Sequence, residues 1–270
     1  MKYLFKTGAV AALVLALSGA ADAALVSRGG GMVYDTTQNL TWLADMNHAG
    51  SSGYAAANAT EPFPHRDTTI KVGGQMGWTA ANAWAAGLTY GGFDDWRLPG
   101  LNPSDTSCPM EHDLGPDIGV LHYGQGCTGG ELSHLFVVDL GNRPGESVLD
   151  TTGDSAEQIA NLALFSNVPR SRIWSGTDKA AGTGLALYFD PGDAFQGNGG
   201  KGSPFFALAV RNGDVAAVPE PQTLALTLLA LGAATGGRRK WQTRRNRNAT
   251  YAHAPSREAL SQHAHAAGFA

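Results

Sequence analysis

The chain has 270 residues, 43% hydrophobic and 16% charged, with 36 glycines. Roughly 190–195 residues remain once both ends are set aside, enough for one domain with a sizeable core and too glycine-rich for a helical bundle. The formal net charge of −4 conceals an acidic body, because residues 24–217 carry 10 Lys and Arg against 20 Asp and Glu. That body lacks the basic face that neutralising phosphates requires, which excludes nucleic acid as a partner.

Met1–Ala23 has the layout of a secretory signal peptide. Lys2 and Lys6 form the positive start, Gly8–Leu17 the apolar stretch, and Ala21-Asp22-Ala23 the small-x-small cleavage signal. The apolar stretch is too short to span a membrane comfortably. Signal peptidase is therefore expected to cut between Ala23 and Ala24, leaving an exported chain.

Met32-Val33-Tyr34-Asp35 and Asn39-Leu40-Thr41-Trp42-Leu43 predict two strands around a Thr36-Thr37-Gln38 turn, each burying one face, with Trp42 in the core. Asn47–Pro64 is rich in Gly, Ser, Ala and Asn and predicts a mobile surface loop. Gly73–Leu88 is the first helix candidate, since Trp78, Ala81, Ala85 and Leu88 share one stripe. Gly91-Gly92 ends that run and turns the chain into Asp94-Asp95-Trp96-Arg97-Leu98-Pro99. There an aromatic, a guanidinium, an aliphatic and a proline stand in a row, which points to a structural junction. Trp96 and Leu98 are expected in the core, and Arg97 on a carboxylate or loop carbonyls.

Residues 100–130 read as a polar, Pro- and Gly-rich excursion holding the only two cysteines, Cys108 and Cys127. In an exported chain these most simply form one disulfide. The alternative is a metal site drawing on His112, His122 or His134, although the spacing matches no zinc pattern. Glu131–Leu140 is the second helix candidate, with Leu132, Leu135, Phe136 and Leu140 on one face and Gly141 as its stop. Residues 142–170 look loop-like. Strands are then expected at Arg172–Ser175, Leu185–Phe189 and Phe205–Arg211, separated by Gly-rich turns. Two helices followed by a run of strands predict an α+β domain with an antiparallel sheet.

From Val218 the composition changes. Val218-Pro219-Glu220-Pro221 precedes an apolar, small-residue run, Thr223–Gly237, which Arg238-Arg239-Lys240 halts at once. A hydrophobic helix stopped by basic residues is the physical signature of an inner-membrane anchor with a cytoplasmic end, here short enough to be transient. The pattern resembles the PEP-CTERM sorting signal, and that resemblance implies processing by an exosortase. Residues 241–270 form an Arg-, His- and Ala-rich tail that departs from the family pattern and reads as a disordered extension.

The body resembles a second family. Val33-Tyr34-Asp35 with Leu40-Thr41-Trp42-Leu43, Asp95-Trp96-Arg97-Leu98-Pro99, Glu131-Leu132, Ile173-Trp174-Ser175-Gly176-Thr177 and Ala209-Val210-Arg211 occur in the order of Lcl C-terminal-type domains. The resemblance covers roughly residues 32–216. It implies a C-type-lectin-like fold of two helices, one irregular antiparallel sheet and long loops, in which Trp42, Trp96, Arg97, Leu98, Pro99, Trp174 and Arg211 are structural.

Few residues point to chemistry. Glu111, Asp113 and Asp117, and separately Asp190 and Asp193, are the acid clusters a calcium ion would use. Neither shows the Glu-Pro-Asn or Trp-Asn-Asp run of sugar-binding C-type lectins, so solvated loop acids are the plainer reading. Ser175 has no Gly-x-Ser-x-Gly elbow and no histidine tied to it by spacing. Formylglycine-generating enzymes share the broad fold class but rely on cysteine chemistry, which a crosslink would remove. The expected protein is thus a non-enzymatic, cofactor-free, exported surface or matrix protein, with exopolysaccharide as the contact its family resemblance implies. A calcium- or carbohydrate-binding lectin module is the alternative, and a formylglycine-generating-type enzyme a distant third.

Overall fold

A computed structural model describes residues 24–60, 66–116, 119–180 and 182–215. The leader Met1–Ala23, Asp117, the motif residues Val218, Pro219, Glu220 and Pro221, the apolar run 223–237, Arg238, Arg239, Lys240 and the tail 241–270 lie outside the described residues, and Ala24 is the first within them. No helix among the described residues is long and apolar enough to cross a membrane.

Two antiparallel sheets, not the single irregular sheet expected, carry the domain. The first holds β1 (Leu25–Gly29), β2 (Met32–Asp35), β3 (Leu40–Leu43) and, from the far end of the body, β9 (Val210–Asn212), in the order β1-β2-β3-β9. The second holds β4 (Met110–Asp113), β5 (Val120–Gln125), β6 (Ile173–Asp178), β7 (Leu185–Asp190) and β8 (Phe195–Gly200), in the order β4-β5-β8-β7-β6.

The β2–β3 hairpin lies where its alternating pattern puts it. Asn39 takes a left-handed φ of 53°, which asparagine tolerates better than most residues, and β2 and β3 then pair Val33 with Trp42. The turn is tied from inside, because Asp35 Oδ1 accepts the N–H groups of Thr37 and Gln38 at 2.9 and 2.8 Å. One detail differs from expectation. All four residues of β3 are buried, since β2 and β9 flank it and both its faces are covered.

The helical content is distributed differently from the two helices expected. Within the predicted loop 47–64, α1 (His48–Ser51) and α2 (Tyr54–Ala57) fold against the core through Ala49 and Ala55. α3 (Trp78–Ala86) is the first predicted helix, trimmed at both ends, and it buries Ala80, Ala81, Trp84 and Ala85. Trp78 sits only half-buried at its start, with Lys201 Nζ 4.2 Å from the centre of its ring. α4 (Glu131–Ser133) is short and passes directly into a π-helical turn, His134–Asp139.

α5 (Ala156–Leu162) occupies the predicted loop 142–170. Its start carries a capping box in which Ser155 Oγ accepts the Gln158 N–H at 3.1 Å and Gln158 Oε1 accepts the Ser155 N–H at 3.0 Å. Ser155→Ala is expected to cost about 1 kcal/mol in chemical denaturation.

The excursion 100–130 contains the β4–β5 hairpin, and the Gly-rich stretch after β7 is itself a strand. β8 consists of Phe195-Gln196-Gly197-Asn198-Gly199-Gly200, and its glycines serve a steric need. A Cβ on Gly197 would lie 2.6 Å from the Phe195 ring, and one on Gly199 would lie 3.2 Å from the Phe205 ring. Aromatic rings occupy the space that side chains would otherwise take.

Residues 205–211 were expected to form one strand, yet only Val210 and Arg211 of them do, as part of β9. Phe205 bridges to Met76, Phe206 bridges in parallel to Ile173, Ala209 O accepts the Leu43 N–H, and Val210 bridges to Arg97 before β9 joins β3. Ala207, Leu208 and Ala209 are buried along the way, so this segment links the two sheets through the core.

Candidate functional site

Trp96-Arg97-Leu98-Pro99 runs between the two sheets. Arg97 exchanges backbone hydrogen bonds with Val210 at 2.9 Å, and Pro99 O accepts the Gly176 N–H of β6 at 2.8 Å. Trp96, Leu98 and Pro99 are buried. The Arg97 side chain forks onto Glu131, with Nη1 donating to Oε2 and Nη2 to Oε1, both at 2.7 Å. Nη2 also reaches Asn212 Oδ1 at 2.6 Å, and the Gly100 N–H adds a 2.6 Å bond to Glu131 Oε2.

Burial works against ionising Glu131, but the Arg97 fork and the Gly100 N–H outweigh it and hold the carboxyl below its ordinary 4.5. A lowered pKa stabilises the fold above the unfolded value and loses that contribution as pH falls through the folded one. Glu131→Gln should therefore flatten the acid limb of a urea-midpoint profile below about pH 4.5.

Other arginines are committed in the same way. Arg211 donates to Asp95 at 2.7 and 3.0 Å and lies 4.1 Å from the centre of the Phe93 ring, while Arg28 forks onto Asp214. The Arg211 hydrogen bond holds the Asp95 carboxyl below its usual range. These are structural clasps around the first sheet. Trp42 and Trp174 are fully buried, and the Trp174 indole N–H donates to Met76 O at 2.8 Å.

Cys108 and Cys127 form a disulfide. Asp105 packs beside it, and its carboxylate accepts the Ser107 hydroxyl, the Ser107 N–H and the Gly129 N–H. Asp105, Cys108 and Cys127 are the one group of three potential ligand residues with atoms mutually within 4.8 Å among the described residues, and the disulfide leaves no thiolate there to bind metal. Among the described residues the other acids of the two clusters form no such group. Glu111 and Asp113 stand exposed on β4, and His122 lies across the ladder from Glu111. Asp190 accepts the Gly192 N–H and lies 3.5 Å from Arg172, while burial pushes its carboxyl above the usual range. Asp193 Oδ1 is buried without a hydrogen-bond partner. The Ser175 hydroxyl is buried and donates to Leu187 O at 2.9 Å, a structural tie with no imidazole beside it among the described residues.

The most perturbed group is one that the sequence did not single out. Asp139, at the end of the π-helical turn, is 4% exposed, and its Oδ2 has no hydrogen-bond partner. Burial first, then the charges of Asp35 and Glu157, push its carboxyl up to about 7. His134, at the start of the same turn, places Nε2 3.8 Å from Asp139 Oδ1, and that nitrogen is also buried without a partner. Asn161 of α5 donates to Asp139 O at 3.0 Å and Gln158 to Val138 O at 3.2 Å, so α5 clamps the turn. π-helical turns are often found at functional sites, and a strongly perturbed buried acid is a marker of the same kind.

No family model, curated protein or solved structure matches the chain.

Proposed function

We propose that this is an exported, exosortase-processed bacterial surface or extracellular-matrix protein, whose body is a non-enzymatic C-type-lectin-like module contacting exopolysaccharide. The observation that carries the reading is the order of parts along the chain. The leader-like Met1–Ala23 precedes the acidic body, Val215 is buried in that body, and Val218-Pro219-Glu220-Pro221 opens the tripartite pattern three residues later.

The disulfide supports export, since such bonds persist in oxidising compartments. The return of β9 into the sheet of β1–β3, with a loop region stapled by a disulfide, supports the lectin-like architecture. Ser175, the two cysteines and three forked arginines are engaged in structural bonds, which supports a binding or scaffolding role over catalysis.

Deleting residues 218–240 is expected to move the protein out of the surface fraction, either retained or released into the medium. Unchanged fractionation would remove the sorting reading. Mass spectrometry of the mature protein should find Ala24 at its start. A glycan array run with the exported chain tests the polysaccharide contact, and a blank array overturns it.

A further inference from the structure

The three acids around the π-helical turn have no lysine or arginine to balance them. Among the described residues none pairs with Asp35, Asp139 or Glu157. Asp35, at the end of β2, is fully buried, and its oxygens accept the N–H groups of Thr37 and Gln38 and the Gln38 side chain. Glu157 stands exposed on α5. The other charges around the turn are taken: Glu131 of α4 by Arg97, and Asp154, which lies against Gly141, by Arg143. Asp139 is left with the imidazole of His134 at 3.8 Å, an ion-pair separation. Its Oδ2 and the His134 Nε2 are both buried without hydrogen-bond partners. A carboxyl so placed must either keep its own proton or face a protonated imidazole.

The backbone connects this pair to α5. On a regular α-helix residues 134 and 139 would lie about 140° apart around the axis. Here the Leu140 N–H bonds to Leu135 O, an i to i+5 pairing that widens the turn and brings the two side chains to one side. The same turn presents Val138 O and Asp139 O to Gln158 and Asn161 of α5. α5 has few other attachments. Asn161 is its only buried residue, Leu162 packs half-buried on the core, and Ile159 is 45% exposed. An element with so little buried surface can open without unfolding the rest.

We propose that α5 is a pH-released latch, docked on the π-helical turn while the His134–Asp139 pair holds a proton and freed when the pair loses it. With that proton gone, a carboxylate beside a neutral imidazole is an unbalanced charge in a dry site, near the like charges of Asp35 and Glu157. Releasing α5 and loosening the turn lets water reach it. Asp139 sets the direction of the effect, since its carboxyl holds its proton up to about 7 in the closed turn against 3.8 in water. Opening therefore releases a proton. The closed state has its full advantage below pH 3.8 and loses it as pH rises through about 7.

Hydrogen exchange of the full chain, followed by mass spectrometry and corrected for the intrinsic pH dependence of exchange, tests the latch. Opening of residues 134–142 and 156–162 should be at least about tenfold more frequent at about pH 8 than at about pH 5, because releasing one proton shifts an equilibrium by up to about tenfold per pH unit. Residues 32–43 of the first sheet should stay protected at both. Asp139→Asn keeps the side-chain volume but cannot ionise, so its protection should no longer depend on pH. His134→Gln takes away the imidazole, and opening should begin at lower pH than in the wild type. Glu157→Gln, a change on the exposed face of α5, leaves the core untouched and removes one of the charges that raises Asp139, so it should reduce opening at the higher pH. Equal protection at both pH values in the wild type overturns the latch. So does a pH dependence that survives in Asp139→Asn, or a loss of protection spread equally over residues 32–43.

Discussion

Replacing Trp96 by alanine should lower the stability of the body by about 3–5 kcal/mol, read as a shift of the urea midpoint at constant slope. The magnitude follows from the position of the ring. Trp96 is 2% exposed, its indole N–H donates to Tyr90 O at 3.3 Å, and the Tyr90 ring meets it edge-on at 6.1 Å. Tyr90 in turn meets His48 of α1 edge-on at 5.0 Å, so the contact chain reaches from the junction into the first short helix. The next residue, Arg97, is hydrogen-bonded through its backbone to the segment that joins the two sheets. An alanine would leave a cavity between elements that cannot close over it without moving that segment. A loss below about 1 kcal/mol would mean that the ring contributes little packing and would remove the core role assigned to it.

Removing the crosslink is the second large effect. The Cys108→Ser, Cys127→Ser double variant is expected to lose about 3 kcal/mol, from a loop closed across a sequence separation of 19. The damage should concentrate in the β4–β5 hairpin. All four residues of β4 are exposed, and β5 joins the rest of its sheet only through Gly124 and Gln125 pairing with Gln196 and Phe195. A two-stranded ribbon is marginal by itself, and the disulfide closes this one at its base. Limited proteolysis of the double variant should cut first between residues 110 and 123. Uniform cleavage across the body would show that the bond stabilises the whole fold and not the hairpin in particular.

Much of the first sheet was legible because its signals are local. The β2–β3 hairpin shows in alternation and in the turn-forming Thr36–Asn39, and the Trp96–Pro99 junction in three bulky or rigid residues flanking an arginine. α5 could also have been read, because Ser155 and Gln158 stand at capping-box spacing. It was obscured by the polar loop-like composition around it. β8 was hidden for a different reason. Glycine is a poor strand former, and only the Phe195 and Phe205 rings lying over Gly197 and Gly199 explain why it is required there. The expectation of one sheet failed because pairing partners are non-local: nothing near Val210 in the chain says that it joins β3.

By itself the sequence sets the order of its compositional parts: a short apolar start behind two lysines, an acidic body with two cysteines, a Pro-Glu-Pro motif with an apolar run and a basic cluster, and a basic tail. Each of these depends on composition or short spacing, which survive without knowing the fold. The tertiary structure decided which carboxylates matter. Glu111 and Asp113, conspicuous in the chain, stand in water on an edge strand, whereas Asp139, inconspicuous in an apolar helix, is stripped of solvent and set beside Asp35, Glu157 and His134. The energy of a charge is fixed by how much water and which neighbours surround it, and both are properties of packing that no local pattern records.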